Sequence, residues 1–440
     1  MSMYFCNATG VWTGIMFQDN PNYASGHPGK IFVSKKDRDI LRKLAVRLRK
    51  LADKNEQEEK RNLWFSHNDL KNYRPIILTD PENGWNEIIT NNQLECKGEL
   101  AKRWEVIIRK ELFWGEKIKD DKPIESFFYI GFTYSESDWG ISGDFYGGQE
   151  GGSYIWDSPI KEIEDIEKLK YKKLDIDYET TLQTFELAQC VFKDLLNVRL
   201  RGSWWWGFGL SYELVRLVGL EKMMFYFYDK PKLIHKVMEI LRDGNLAKLD
   251  YLEKNNLLFL NNYDFYVGSG GIGYTKELPR QDIECNQVRT IDMWGHSESQ
   301  ETSQISPDMF EEYIFQYQLP FMKRFGLNCY GCCEPLDKRW SVIKKVPNLR
   351  RVSVSTWADL KKMSEYLEDS YIYSYKPNPA DLAVPEINED HIRKKISYFL
   401  DITKGNIVEI IMKDNHTIGN NPENIIKWVR IIREEIEEKY

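Results

Sequence analysis

Arg350-Arg-Val-Ser-Val-Ser355-Thr-Trp357 reads as a strand, and by the two-residue period of a strand Ser353, Ser355 and Trp357 share one face. The candidate strands around it end the same way. The next closes on Ser374-Tyr-Lys376-Pro-Asn378, and the last on Met412-Lys413-Asp414-Asn415-His416. Upstream, one ends Asn261-Asn262-Tyr263-Asp264, and another runs into Cys329-Tyr-Gly-Cys332-Cys333-Glu334. A (β/α) barrel collects its chemistry at the carboxyl ends of several different strands. Groups able to ligate, titrate or hydrogen-bond at so many strand ends are more than loop composition supplies.

Working outward, short apolar or β-branched runs at 74–78, 127–133, 197–202, 257–262, 288–294, 326–330, 350–355, 371–375 and 407–412 alternate with helical patterns. Ser306-Pro307 opens one helix with Ser as N-cap and Pro at the first position, and Asn421-Pro422 opens the last, whose apolar face is Ile425, Trp428, Val429, Ile432 and Ile436. Strand–helix alternation implies parallel pairing through crossovers. The expected fold is α/β, a (β/α)8 TIM-type barrel over 71–440 with one strand candidate left as an excursion; a doubly wound sheet is the alternative. Ahead of it, 1–70 reads as an irregular arm and a mainly helical extension. Ser34-Lys-Lys-Asp37 resembles a capping box there, followed by Leu41, Leu44, Leu48 and Leu51 at helical spacing. A cap over the barrel or a dimerisation arm both suit it, and a homodimer is one expected assembly.

With 440 residues, 42% of them hydrophobic, and 14 Trp, 25 Tyr and 21 Phe, the chain can bury a large core. Sixty-one basic against 68 acidic side chains, a net charge of −7, give no footprint for nucleic acid or an anionic membrane. The most apolar stretch, 214–228, is interrupted by Arg216, Glu221 and Lys222, so no transmembrane span is expected. The amino terminus shows no signal peptide, and seven cysteines, an odd number with three clustered at Cys329, Cys332 and Cys333, suit a cytoplasmic protein.

That cluster is the sharpest feature. A structural zinc site needs four ligands and no second Cys pair exists, whereas a catalytic site needs only three and keeps one position open. Redox exchange ranks second, because Pro335 follows Glu334 and a strand precedes the motif. Of six histidines, His296 and His416 stand at plausible site positions; His27 and His67 carry little signal, and His235 and His391 read as surface residues. Two thiolates with one imidazole suit zinc. Gly268-Ser-Gly-Gly271-Ile-Gly273 lacks the register of a phosphate cradle. In Trp204-Trp205-Trp206, three adjacent rings cannot all face one core, so at least one should line a cavity or an interface.

From about Arg74 to Lys427 the order of these pieces resembles the uroporphyrinogen decarboxylase superfamily, which includes zinc-dependent, corrinoid-linked methyltransferases. The resemblance rests on Gly219-Leu-Glu-Lys-Met-Met, Tyr228-Asp-Lys-Pro231, Asn262-Tyr-Asp264 and Trp294-Gly-His296. It continues with Ile305-Ser-Pro-Asp-Met-Phe-Glu-Glu, Cys332-Cys333, Lys376-Pro-Asn-Pro379 and Asn415-His-Thr-Ile418 before Asn421-Pro422-Glu. It implies the (β/α)8 barrel, with 288–294 as an excursion after the fourth strand. The arginine-rich clamp of the decarboxylases is replaced by Tyr73-Arg-Pro-Ile-Ile-Leu-Thr-Asp80, which argues against tetrapyrrole decarboxylation. The methyltransferases hold zinc by a His-x-Cys pair and a later Cys. Here the matching positions imply a permuted set, Cys332, Cys333 or Glu334 joined by His416.

The expectation is methyl transfer between a small methylated substrate and cobalt carried by a separate corrinoid protein, since no corrinoid-binding Asp-x-His-x-x-Gly occurs in this chain. Asp264, Lys376, Lys413 and Asp414 would orient substrate or shuttle a proton, and Trp205, Trp294, His296, Ser355, Trp357 and Asn378 would contact it. The rival classes are a metal-dependent lyase or decarboxylase on a small acid, which would turn over alone, and a non-catalytic ligand-binding barrel.

Overall fold

The computed structural model describes residues 27–71, 74–147, 154–202, 204, 207–283 and 287–440, with two short strands at Phe5–Cys6 and Trp12–Thr13. Trp205, Trp206 and Tyr73 lie outside the described residues. The expected first helix is present as α1 (Lys35–Ala52), with Ser34 Oγ accepting from the Asp37 amide at 3.1 Å, and α2 (Asn55–Asn68) follows. Leu41, Leu44, Leu48 and Leu51 of α1 are buried in the same continuous core as α3 (Glu99–Phe113).

The parallel strands come in two ladders. One has six strands, in the order β4 (Trp294–Ser297), β5 (Leu327–Tyr330), β6 (Leu349–Ser355), β7 (Ile372–Lys376), β8 (Ile407–Met412), β1 (Ile76–Thr79). The other pairs β2 (Phe127–Gly131) with β3 (Asn197–Arg201). Among the described residues no ladder joins β1 to β2 or β3 to β4, so the structure shows an α/β protein with these two parallel arcs. Helices follow the strands: α4 (Tyr178–Phe192) precedes β3, α5 (Pro231–Lys254) follows it, and α6 (Leu360–Leu367), α7 (Glu389–Ile402) and α8 (Glu423–Lys439) follow β6, β7 and β8. The register brings Ser355 level with Lys376 and Met412 level with Thr79, so the carboxyl ends form one rim. No helix among the described residues is long and apolar enough to cross a membrane.

Period-two alternation decides what faces where. In β7, Tyr375 stacks on Phe399 of α7 and Tyr373 meets the same ring edge-on, both on the outer face, while Ser374 and Lys376 point to the inner face. In β6, Val352 and Val354 join the apolar core, and Arg351, Ser353 and Ser355 make the inner polar contacts.

One expectation is corrected. The segment 257–262 enters no ladder, and the 288–294 run taken for an excursion instead leads into β4, a full member of the larger sheet. The reason lies in Asn261. Its side-chain amide donates to the Trp294 carbonyl at 3.0 Å and accepts from the Trp294 amide at 2.9 Å, occupying the backbone groups that a neighbouring strand would have used.

Candidate active site

Cys332 and Cys333 follow β5 directly, on a turn that Gly331 makes possible with φ +95°. The ladder between β5 and β6 shifts register at Asn328/Cys329, a local bulge that re-aims the strand end. The two thiols lie 3.6 Å apart. Ser269 Oγ donates to Cys332 Sγ at 3.3 Å, and the Cys333 thiol points to Asp414 Oδ2 at 3.8 Å. Lys413 lies among them, its ammonium 3.5 Å from Ser269 Oγ, 3.6 Å from Asp414 and 3.7 Å from Glu82. Burial opposes its charge, but Asp414, Glu82 and the two cysteines outweigh burial and hold its pKa above the ordinary value. The hydrogen bond to Cys333, together with burial, pushes the Cys332 thiol well up.

Ser269 comes from the glycine-rich stretch. That stretch is a hairpin, Tyr266–Val267 against Gly271–Ile272, packed along the inner face of the sheet. A Cβ on Gly271 would stand 2.4 Å from Arg351 Cζ, and one on Gly268 would stand 2.6 Å from Cys329 Cβ. Gly268 also has φ +67°, so Gly268→Ala meets both a backbone penalty and a clash at the strand end that carries the thiols. The expected loss is about 2–4 kcal/mol in chemical denaturation, with faster alkylation of Cys332 read by peptide mass spectrometry.

Of the residues expected in the site, Cys332, Cys333, Lys413 and Asp414 come together. Glu334 is buried beside them, but its carboxylate accepts from the amides of Ser299 at 2.8 Å and Cys332 at 2.9 Å, which makes it a brace for the turn. His416 is exposed, with Nδ1 3.5 Å from Asn83 Nδ2. Lys376 is buried and donates to Ser374; burial brings its ammonium down to about 8, Lys413 and Arg351 adding to the fall against Glu409. Ser355 Oγ contacts the Glu334 carbonyl at 3.4 Å, Asn378 Oδ1 caps the Ala380 amide at 3.0 Å, and Trp357 is 73% exposed on the rim.

Trp294 and His296 line a cavity on the other side of the hairpin, with Arg201, Trp204, Phe259 and Phe265. His296 Nε2 lies 3.2 Å from the Gly331 carbonyl, one residue from Cys332; burial brings this imidazole down to about 3, so it is neutral. Asp264 does not line that cavity. Its carboxylate accepts from Tyr129 Oη at 2.8 and 3.0 Å and lies 3.9 Å from Arg201.

Among the described residues no group of three or more His, Cys, Asp or Glu side chains is assembled round one point as a metal site. The thiol pair nevertheless has the right spacing for one edge of a site. Two thiolates on tetrahedral zinc, at Zn–S distances of about 2.3 Å, stand ~3.8 Å apart, and these stand 3.6 Å apart.

No family model matches the chain. No curated protein matches it either. Among solved structures, a methyltransferase from Methanosarcina mazei is similar over 68% of this chain and 76% of its own, at 11% identity and a TM-score of 0.40. No activity follows from a likeness at that level.

Proposed function

We propose that this protein is a zinc-dependent methyltransferase of the demethylating type. It would move a methyl group between a small O-, N- or S-methyl compound and a separate corrinoid protein, on a closed (β/α)8 barrel of the uroporphyrinogen decarboxylase superfamily. The six-stranded and two-stranded arcs together supply the eight strands that such a barrel requires. The observation that carries the reading is the pair of thiols held 3.6 Å apart at the carboxyl end of β5.

Cys332 and Cys333 are the proposed zinc ligands, the Asp414 carboxylate stands 3.8 Å from the Cys333 sulfur as a further donor, and His416 stands two residues beyond it on the same loop. Zinc bound there would supply Lewis acidity, taking up the charge that a methyl donor's heteroatom develops or that an acceptor thiol carries. The chain's own residues do the rest. Lys413 places a positive charge beside Cys332 that favours its anionic form against burial, and Ser269 adds a hydrogen bond to the same sulfur. Glu334 keeps the turn in place through its two amide bonds. Lys376, close to neutral pH in its titration and buried on the inner face, is the group best able to give or accept a proton there.

The test is a methyl-transfer assay with cob(I)alamin and a panel of methyl ethers, amines and thioethers, followed by the loss of the cobalt(I) spectrum. Donor-dependent methylation that falls about a hundredfold or more in Cys332→Ser is expected. Turnover of a small acid without any corrinoid, or full transfer by Cys332→Ser, would overturn the reading.

A further inference from the structure

Five lysines are buried among the described residues, and four of them have an evident partner for their charge. Lys60 meets Glu56 at 3.0 Å, Lys122 meets Glu111 at 2.6 Å, and Lys413 meets Asp414 at 3.6 Å and Glu82 at 3.7 Å. The Lys110 ammonium lies over the Trp85 ring, 5.5 Å from its centroid. Lys376, the last residue of β7, is 6% exposed and makes no ion pair among the described residues. Its nitrogen donates to Ser374 Oγ, two residues back on the same strand.

That bond runs in one direction. The Ser374 hydroxyl gives its own proton to Glu409 Oε1, so its oxygen is left to accept from Lys376. The Glu409 carboxylate is in turn engaged by Arg351 and His67. Burial therefore works against the Lys376 charge with only a relayed carboxylate to oppose it, and Lys413 and Arg351 add to the fall that brings the ammonium down to about 8. A lysine is a nucleophile only as the neutral amine, and burial next to other cations is the setting that frees it. In that form one N–H stays on Ser374 and the nitrogen lone pair is unused. Lys413, at the end of the neighbouring strand β8, is built the opposite way: its two ion pairs keep it an ammonium with no lone pair to offer.

We propose that Lys376 captures a small aldehyde as an imine at the carboxyl end of β7. The nitrogen lone pair forms a bond to the carbonyl carbon, the carbon–oxygen bond breaks, and both amine protons leave with the oxygen as water. No oxidant or reductant takes part. The aldehyde has to be small because the nitrogen is sunk beneath the rim. The inference goes beyond the methyl-transfer reading and calls on neither zinc nor a corrinoid.

The experiment treats the full chain with propionaldehyde and cyanoborohydride at pH 7, which reduces each imine to a stable secondary amine. The alkylated lysines are then mapped over time by peptide mass spectrometry. At pH 7 an amine that titrates at about 8 is roughly one-tenth neutral, whereas an ordinary lysine, titrating at about 10.4, is neutral in only about 0.04% of molecules. Burial and a less basic nitrogen offset part of that advantage, so Lys376 should be alkylated about tenfold or more faster than Lys413 and than the exposed lysines. Lys376→Met should lose the fast single adduct in the intact mass. Alkylation of Lys376 no faster than that of exposed lysines would overturn the proposal. So would a preference that persists in concentrated urea, because local sequence and not the fold would then set it. Both of these readouts use the wild-type chain.

Discussion

Glu409→Ala is expected to cost about 3–5 kcal/mol of stability, because it leaves a buried guanidinium without its counter-charge. Glu409 lies at the amino-terminal half of β8 with no exposure, and it accepts from Arg351 Nε at 2.9 Å and Nη2 at 3.2 Å, and from the Ser374 hydroxyl. Burial alone would raise its pKa; Arg351 and His67 overcome it and hold the carboxyl well below the usual range. His67 at the end of α2 completes the shell, with Nε2 at 3.1 Å. Burial lowers the His67 pKa despite the carboxylate, so this contact is a neutral N–H donating to an anion, not an ion pair. Its neighbour Asn68 accepts from Arg351 Nη2 at 2.6 Å and donates to the carbonyls of Ile272 and Tyr274. The end of α2 thus ties the helical extension, the hairpin that carries Ser269, and two strands of the sheet into one polar layer. The paired variant Glu409→Leu with Arg351→Met should regain most of the loss, since a buried ion pair replaced by apolar groups of similar volume is close to neutral. Urea unfolding of both decides it. A single-variant cost under about 1 kcal/mol would show that the layer contributes little.

The second large effect is a pH dependence at His296. Its folded pKa is about 3, against about 6.5 in an unfolded chain. Between those values the unfolded state binds a proton that the folded state does not. The stabilisation from a neutral His296 is therefore complete above about pH 6.5 and falls by about 1.4 kcal/mol for each unit of pH below it. Burial is the main cause, and the charges of Lys413 and Lys376 add to it. Glu298 and Glu301, whose pKa values are raised by burial, act in the opposite sense, so the readout is the difference between wild type and His296→Gln. From pH 6.5 to pH 5 the wild type should lose about 2 kcal/mol more than the variant. Equal losses would mean that His296 is protonated in the folded state.

The frame was legible in the sequence because it rests on local signals. Ser34 and Ser306 cap the helices they were expected to open, the apolar face of α8 is buried as the 3.6-residue period requires, and the polar alternation of β6 and β7 faces inward. The cysteine-bearing strand end was legible for the same reason. What escaped depends on contacts far apart in the chain. His67 shows nothing in its own neighbourhood of the sequence, yet it meets Glu409, 342 positions further along the chain. Ser269 hides in a glycine run whose meaning is close backbone approach to Cys329 and Arg351, and the glycine density was the one available sign of it. Arg201 reads as an ordinary strand residue until Phe265 and Asp264 are brought to it. Glu334 was drawn into the ligand set by its place next to two thiols, but a sequence does not show that two backbone amides already hold its carboxylate.

The most direct test is zinc stoichiometry by mass spectrometry on untagged protein exposed to equimolar zinc and then desalted, for the wild type, Cys332→Ser, Cys333→Ser and His416→Ala, with circular dichroism confirming the fold of each. One zinc per chain in the wild type, lost when either thiol is replaced, is the expected result. The His416→Ala variant reports whether that exposed imidazole turns in as a ligand. A folded wild-type chain that retains no zinc, or one that keeps a full equivalent with both thiols replaced, would contradict the assignment of Cys332 and Cys333 as the metal-binding pair.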